Sequence, residues 1–228
     1  MNVFKVIFFH FLMVSSFLQA QENCANVSLK VFKGNEITPY VSDITQLSLQ
    51  IYREYPYLYE GTEEEYLPFI QRYSESNDGI ASILFDDKKL IGVCIGMPLN
   101  EMRDNYLGNF SSITKEELDS LYYLGEFLLL KQYRSQGNGK QMYTSFENEV
   151  IKKSLYKTLC FCKIQEFLEH PSQPDNYFSM NNFWKQSEYV AREDLSFNVD
   201  WVNVNETTLS PHQLYFWFKP LQWLKVFK

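Results

Sequence analysis

The sequence predicts a single α/β domain, and three stretches carry the prediction. Residues 122–153, YYLGEFLLLKQYRSQGNGKQMYTSFENEVIKK, read as an apolar strand, a tight polar turn, and a helix from about residue 140. Residues 79–85 and 90–97 are β-rich runs joined by Asp86-Asp87-Lys88-Lys89, the pattern of an antiparallel hairpin. Residues 37–55 place Val41, Ile44, Leu47 and Ile51 at helical spacing. Strands and amphipathic helices interleaved along one chain make a sheet covered by helices.

In chain order, residues 1–21 come first, MNVFKVIFFHFLMVSSFLQAQ, with one early Lys, an apolar run from Val6 to Val14 and small or polar residues leading to Ala20. That is the pattern of a secretory signal peptide cleaved near Ala20 or Gln21. The run falls short of the ~20 residues a membrane-spanning helix needs. Export or secretion is therefore the expectation, with a membrane anchor or a cytoplasmic protein with a wrongly chosen start as alternatives. Residues 27–33 alternate as a first strand, Gly34-Asn35 turns the chain, and the helix of residues 37–55 stops at Pro56. A second helix opens at Thr62, with Glu65 completing a capping box, and runs to about residue 76. After the hairpin, residues 98–120 form a polar insertion in which Thr114 and Glu117 cap a short helix. Residues 157–164 are another short strand, followed by a Pro-rich polar loop over 165–176.

The chain of 228 residues is 45% hydrophobic, enough for one core spanning residues 22–228, and it carries no internal repeat or linker. A net charge of −7 excludes a general nucleic-acid-binding surface, which needs clustered Lys and Arg. Lys131, Arg134 and Lys140 near the turn are a local exception, either a solvated helix start or part of a site. Cys160 and Cys162, two apart on a strand, share a face and read as core thiols, as does Cys94, whereas Cys24 reads as exposed. No Cys and His cluster has metal-ligand spacing, so no metal is expected. The sequons at Asn26, Asn109 and Asn205 matter only in a glycosylating lumen.

The turn at 134–140 holds Arg134, Ser135, Gln136, Gly137, Asn138, Gly139 and Lys140. Two glycines there let the backbone approach an anion, and the free N–H groups of a helix start add roughly half a positive charge. Such a turn is either a phosphate cradle or plain connection. It has neither GxxxxGK[ST] nor GxGxxG with a downstream acid. Arg134, Gly137 and Gly139 do match, position for position, the Arg/Gln-x-x-Gly-x-Gly/Ala signature, and residues 125–139 resemble the acyl-CoA-binding motif of the GNAT family of N-acetyltransferases. Residues 170–190 resemble the closing segment of one bacterial group in that family, a Pro-Asp-x-Tyr loop leading to a Phe-Trp helix, with Glu188 where the group has Gly. Residues 200–221 resemble its final hairpin. The matches span about residues 27–221.

The resemblance implies a mixed, mostly antiparallel twisted sheet flanked by helices on both faces, with acetyl-CoA as co-substrate and an amine acceptor as partner. It implies that the central strand splays from its neighbour, so that Phe127, Leu128, Leu129 and Leu130 offer backbone groups to the pantetheine arm. The turn, Arg134 to Lys140, would hold the pyrophosphate. It also makes the first two helices and their loop the acceptor side, with Tyr55, Tyr57, Tyr59 and Glu60 as cleft candidates. Glu126, the only ionisable side chain in an apolar strand, matches an acid at the family's cleft floor. Burial would raise its pKa toward general-base values, the alternative being a carboxylate that only hydrogen-bonds backbone or an acceptor ammonium. Many members protonate the leaving thiolate with a Tyr on the closing helix; here that position is Trp184, leaving Tyr177 or solvent as the acid, while packing is the other use of either aromatic. His170, beside Pro171, reads as structural. The rival to an acetyltransferase is a noncatalytic acyl-CoA-binding or exported effector module on the same scaffold.

Overall fold

The computed structural model describes residues 26–102, 114–166 and 170–221. The leader, Cys24 and Asn109 lie outside these residues. Seven strands form one sheet: β1 (Val27–Lys33), β2 (Ile80–Asp86), β3 (Lys89–Pro98), β4 (Leu121–Leu129), β5 (Thr158–Ile164), β6 (Val190–Val202) and β7 (Leu209–Pro220), in the order β1-β2-β3-β4-β5-β7-β6. Every neighbouring pair is antiparallel except β4 with β5. The mixed, mostly antiparallel sheet is the one expected.

Among the described residues five α-helices accompany it: α1 (Val41–Tyr52), α2 (Glu63–Glu75), α3 (Lys115–Asp119), α4 (Asn138–Lys152) and α5 (Asn181–Gln186). Both expected capping boxes form. Thr62 Oγ1 accepts from the Glu65 N–H at 3.3 Å and Glu65 returns a bond to the Thr62 N–H at 3.1 Å, and Thr114 with Glu117 repeats the exchange. The first helix is shorter than its periodicity predicts. Gly34–Tyr40 is a 3-10 turn containing Pro39, which buries Ile37, and the α-helix proper ends at Tyr52, ahead of a cis Tyr55–Pro56 bond.

Two irregularities in β4 place the site. The first is a bulge: Ile95 pairs with Glu126 but Gly96 with Leu124, so Gly125 has no partner on β3. A Cβ on Gly125 would come within 1.7 Å of the Tyr73 hydroxyl on α2, so only glycine fits there. The extra residue reverses the alternation of side chains. Tyr122 and Phe127, five apart, both reach α4, through Phe146 and Tyr143, while Glu126 turns to the opposite face toward α1 and α2. Helices thus cover both faces. The second irregularity is a gap. β4 pairs with β5 only over Leu121–Tyr123, and from Leu124 onward the two strands diverge.

Candidate active site

Glu126 lies at the edge of this gap and is 1% exposed. Its carboxylate is held in a fork of phenols: the Tyr66 hydroxyl donates to Oε1 at 2.7 Å and the Tyr52 hydroxyl donates to Oε2. Burial raises its pKa to about 7, and the two donated hydrogen bonds partly offset that rise. Burial, and then the charge of Glu126, push both phenols well upward, so they stay protonated and remain donors. Tyr57 meets Tyr52 edge to face at 4.7 Å, and burial and Glu126 raise its pKa as well.

The loop between α1 and α2 crosses from this cluster to the C-terminal hairpin. Tyr59 bridges to Asn203, the Glu60 N–H donates to the Val202 carbonyl at 2.9 Å, and the Trp201 indole donates to the Tyr57 carbonyl at 3.1 Å. Of the four cleft candidates, Tyr57 stands beside the Glu126 cluster and Tyr55 packs on Tyr177. Tyr59 fastens the loop to the hairpin, and Glu60 turns away to pair with Arg53.

On the β3 side of β4, away from the gap, the Leu130 N–H donates to the Ile91 carbonyl at 3.0 Å. The two-residue alternation of an antiparallel ladder directs Leu128 likewise and turns the amide groups of Phe127 and Leu129 into the gap. Of the four residues expected to offer backbone groups to the pantetheine arm, Phe127 and Leu129 are the two whose amide groups face the gap. The Leu129 carbonyl already accepts from the Arg134 guanidinium at 2.7 Å, which also pairs with Glu54 at 2.8 Å. Arg134 therefore fastens the turn to β4 and to the segment after α1.

The turn itself is built for a close approach. Ser135 has φ +61° and Gly137 φ +85°, both left-handed, and α4 starts at Asn138, two residues earlier than its periodicity predicts. No side chain caps the helix, because its N-cap is Gly137; the side-chain amide of Asn138, the first helical residue, donates to the Tyr133 carbonyl at 3.0 Å. The first main-chain N–H groups of α4 thus have no intrahelical partner. A Cβ on Gly137 would meet nothing within 4 Å, and one on Gly139 would touch the Phe127 ring at 3.4 Å. Gln136 folds its side chain back on the Gln132 carbonyl, and Lys140 lines an open groove beside Gly137.

Trp184 is buried on the α4 face between Phe161, at 4.3 Å, and Phe127, at 5.2 Å between ring centres. The Tyr177 hydroxyl donates to Glu166 at 2.8 Å, and burial with that bond raises its pKa. His170 accepts from the Ser172 N–H at 3.1 Å. Glu188, where the resembling group has Gly, is left-handed at φ +67°. Cys94 and Cys160 are core thiols; Cys162 is half-buried, 3.0 Å from the Tyr123 hydroxyl, and burial pushes it up to about 12. Sequence reasoning missed the roles of Tyr52 and Tyr66. Their signal was a Tyr at the end of α1 and another in the first turn of α2, the two helices on the sheet face that Glu126 takes.

No family model and no curated protein matches the chain. Solved structures do match in fold. A GNAT-family acetyltransferase from Staphylococcus aureus Mu50 superposes with a TM-score of 0.53 at 14% identity, over 86% of this chain and 100% of that one. NAA60 of Arabidopsis thaliana, solved with a bisubstrate analogue, gives 0.51 at 14% over 85% and 98%. The PaiA N-acetyltransferase of Thermoplasma acidophilum, solved with coenzyme A, gives 0.50 at 13% over 85% and 99%. At such identities the likeness is one of architecture, and the architecture of this chain is the GNAT fold.

Proposed function

We propose that the protein is an acyl-CoA-dependent N-acyltransferase that moves an acetyl group from acetyl-CoA to a primary amine. The observation that carries this reading is a carboxyl group raised to about 7 at the edge of the β4–β5 gap, on a strand that ends in an uncapped, glycine-bearing helix start. The open space over Gly137 and the free N–H groups of α4 suit a pyrophosphate, with Lys140 adding charge.

In the reaction the amine nitrogen attacks the thioester carbonyl carbon, the C–N bond forms and the C–S bond breaks. The N–H of Phe127 or Leu129 stabilises the oxyanion without any side chain. Glu126 accepts the amine proton through water or through the phenols of Tyr52 and Tyr66, because both its oxygens are already hydrogen-bonded. Either Tyr177, turned away from Glu166, or solvent returns a proton to the thiolate. Trp184, unable to act as a phenol, favours the second reading, a noncatalytic acyl-CoA-binding module.

A panel of primary amines incubated with acetyl-CoA, with release of free coenzyme A and product mass as readouts, separates the two. Transfer to any amine supports the enzyme; acetyl-CoA binding with no turnover on any amine supports the module. Among the described residues no helix is long and apolar enough to cross a membrane. Export is carried by residues 1–21, and N-terminal sequencing of protein from the native host should then start near Gln21 or Glu22.

A further inference from the structure

Three phenols gather at Glu126, and two of them are occupied by it. Tyr52 and Tyr66 donate their hydroxyl protons to the carboxylate, which is itself 1% exposed, so a substrate amine does not meet it directly. The third, Tyr57, packs its ring edge to face on Tyr52 at 4.7 Å and is half-buried. Among the described residues its hydroxyl has no hydrogen-bond partner. Burial raises its pKa first, then Glu126 on β4, then Cys162 on β5, which lies two residues past the last β5 residue paired with β4. The hydroxyl thus stays protonated, at the mouth of the gap between the two diverging strands.

The chain around Tyr57 is held from two directions. Its carbonyl accepts from the Trp201 indole of the C-terminal hairpin at 3.1 Å, and its N–H donates to the Glu54 carbonyl at 3.2 Å. The Glu54 carboxylate in turn pairs with Arg134 of the glycine-bearing turn at 2.8 Å, and Arg134 also donates to the Leu129 carbonyl at the gap. A free phenol oxygen fixed in this way can do for an attacking nitrogen what the sealed carboxylate cannot. It offers two lone pairs, and a neutral amine keeps its N–H donors free once its own lone pair is aimed at carbon. Tyr177, the other phenol beside this loop, is engaged with Glu166 at 2.8 Å.

We propose that Tyr57 receives the acceptor: its hydroxyl oxygen accepts a hydrogen bond from the amine and points the nitrogen lone pair at the thioester carbon in the gap. The proposal rests on the acetyl-transfer reading. As the C–N bond forms and the C–S bond breaks, the surplus proton of the nitrogen passes to Glu126, and Tyr57 ends as it began, a neutral phenol. Tyr57→Phe removes the oxygen and keeps the ring; Trp201→Phe removes the indole donor and keeps a ring against His212. The assays are steady-state acetylation of butylamine across the acid limb and calorimetry of butylamine on the protein loaded with coenzyme A. Tyr57→Phe should lower kcat/KM for butylamine by about 10- to 100-fold, with the acetyl-CoA KM unchanged and the acid limb still at about 7. Trp201→Phe should lower it less, and should add nothing on top of Tyr57→Phe, because it acts through that oxygen. A Tyr57→Phe enzyme with wild-type kcat/KM, an acid limb that moves, or full additivity of the two variants would overturn the proposal while leaving acetyl transfer standing. If wild type acetylates no amine, butylamine binding that Tyr57→Phe weakens by about tenfold or more upholds the amine site and rejects the transfer reading. Binding that the variant leaves unchanged, or none in wild type, rejects the site.

Discussion

Glu126 has exchanged water for two phenols. A carboxylate at 1% exposure is costly to ionise, and hydrogen bonds from Tyr52 and Tyr66 return part of that cost, which leaves its pKa at about 7. If it accepts the amine proton, Glu126→Gln should lower kcat by about 10²- to 10⁴-fold with acetyl-CoA affinity nearly intact. Wild-type activity should fall as pH drops through about 7, and the Gln variant should recover rate at high pH, where the amine arrives neutral. An unchanged kcat with an unshifted acid limb would remove the base assignment. The same group sets a pH dependence of folding. Its folded pKa lies above the unfolded value, so the native state holds the proton more tightly, and stability is fully present at low pH and declines as pH rises through about 7. The decline amounts to about 3 kcal/mol at most, from the size of the shift. Thermal melts from pH 5 to pH 9 should show a loss in wild type that Glu126→Gln abolishes; parallel curves would sink this account. Glu126 was legible in the sequence because it is the one charge in a Leu-rich strand. Its partners were not, since they lie 74 and 60 residues away and a bulge decides which face it takes.

At the scale of elements, local chemistry marked the boundaries it controls. Thr62 with Glu65 and Thr114 with Glu117 fixed two helix starts, because a capping box is a contact between residues three apart. The start of α4 was placed two residues late, since Gly137 serves as N-cap through its own left-handed backbone rather than through a side chain. Gly137→Val should therefore strain the turn and put a branched side chain where the pyrophosphate would lie. Calorimetry on the folded variant should show acetyl-CoA affinity reduced by several kcal/mol, and an unchanged affinity would dismiss the anion cradle. Glu188 is the converse case, a side chain carried at φ +67° where the resembling group has glycine. Glu188→Gly should relieve that conformation by roughly 0.5–1 kcal/mol, a rise of about 1–4 °C in Tm for a domain of this size. A lower Tm would mean that the Glu188 side chain makes a contact worth more than the strain.

For the whole molecule, strand neighbours adjacent in sequence could be read directly, as β2 with β3 shows. The divergence of β4 from β5 came only through resemblance, and the insertion of β7 between β5 and β6 was not read at all, because both depend on pairings across 35 residues or more and no local signal records them. The divergence has a consequence for exchange of amide hydrogens with solvent. Among the described residues β4 and β5 share three ladder pairs, and beyond Tyr123 the amides of Phe127 and Leu129 face a gap instead of a strand. In heavy water these two should exchange with the rates of an open edge, while their neighbours Leu128 and Leu130, bonded to β3, stay protected. An acyl-pantetheine chain lying in the gap would take the place of the missing strand. Saturating acetyl-CoA should then slow exchange at Phe127 and Leu129 selectively, so that the ligand registers as added sheet.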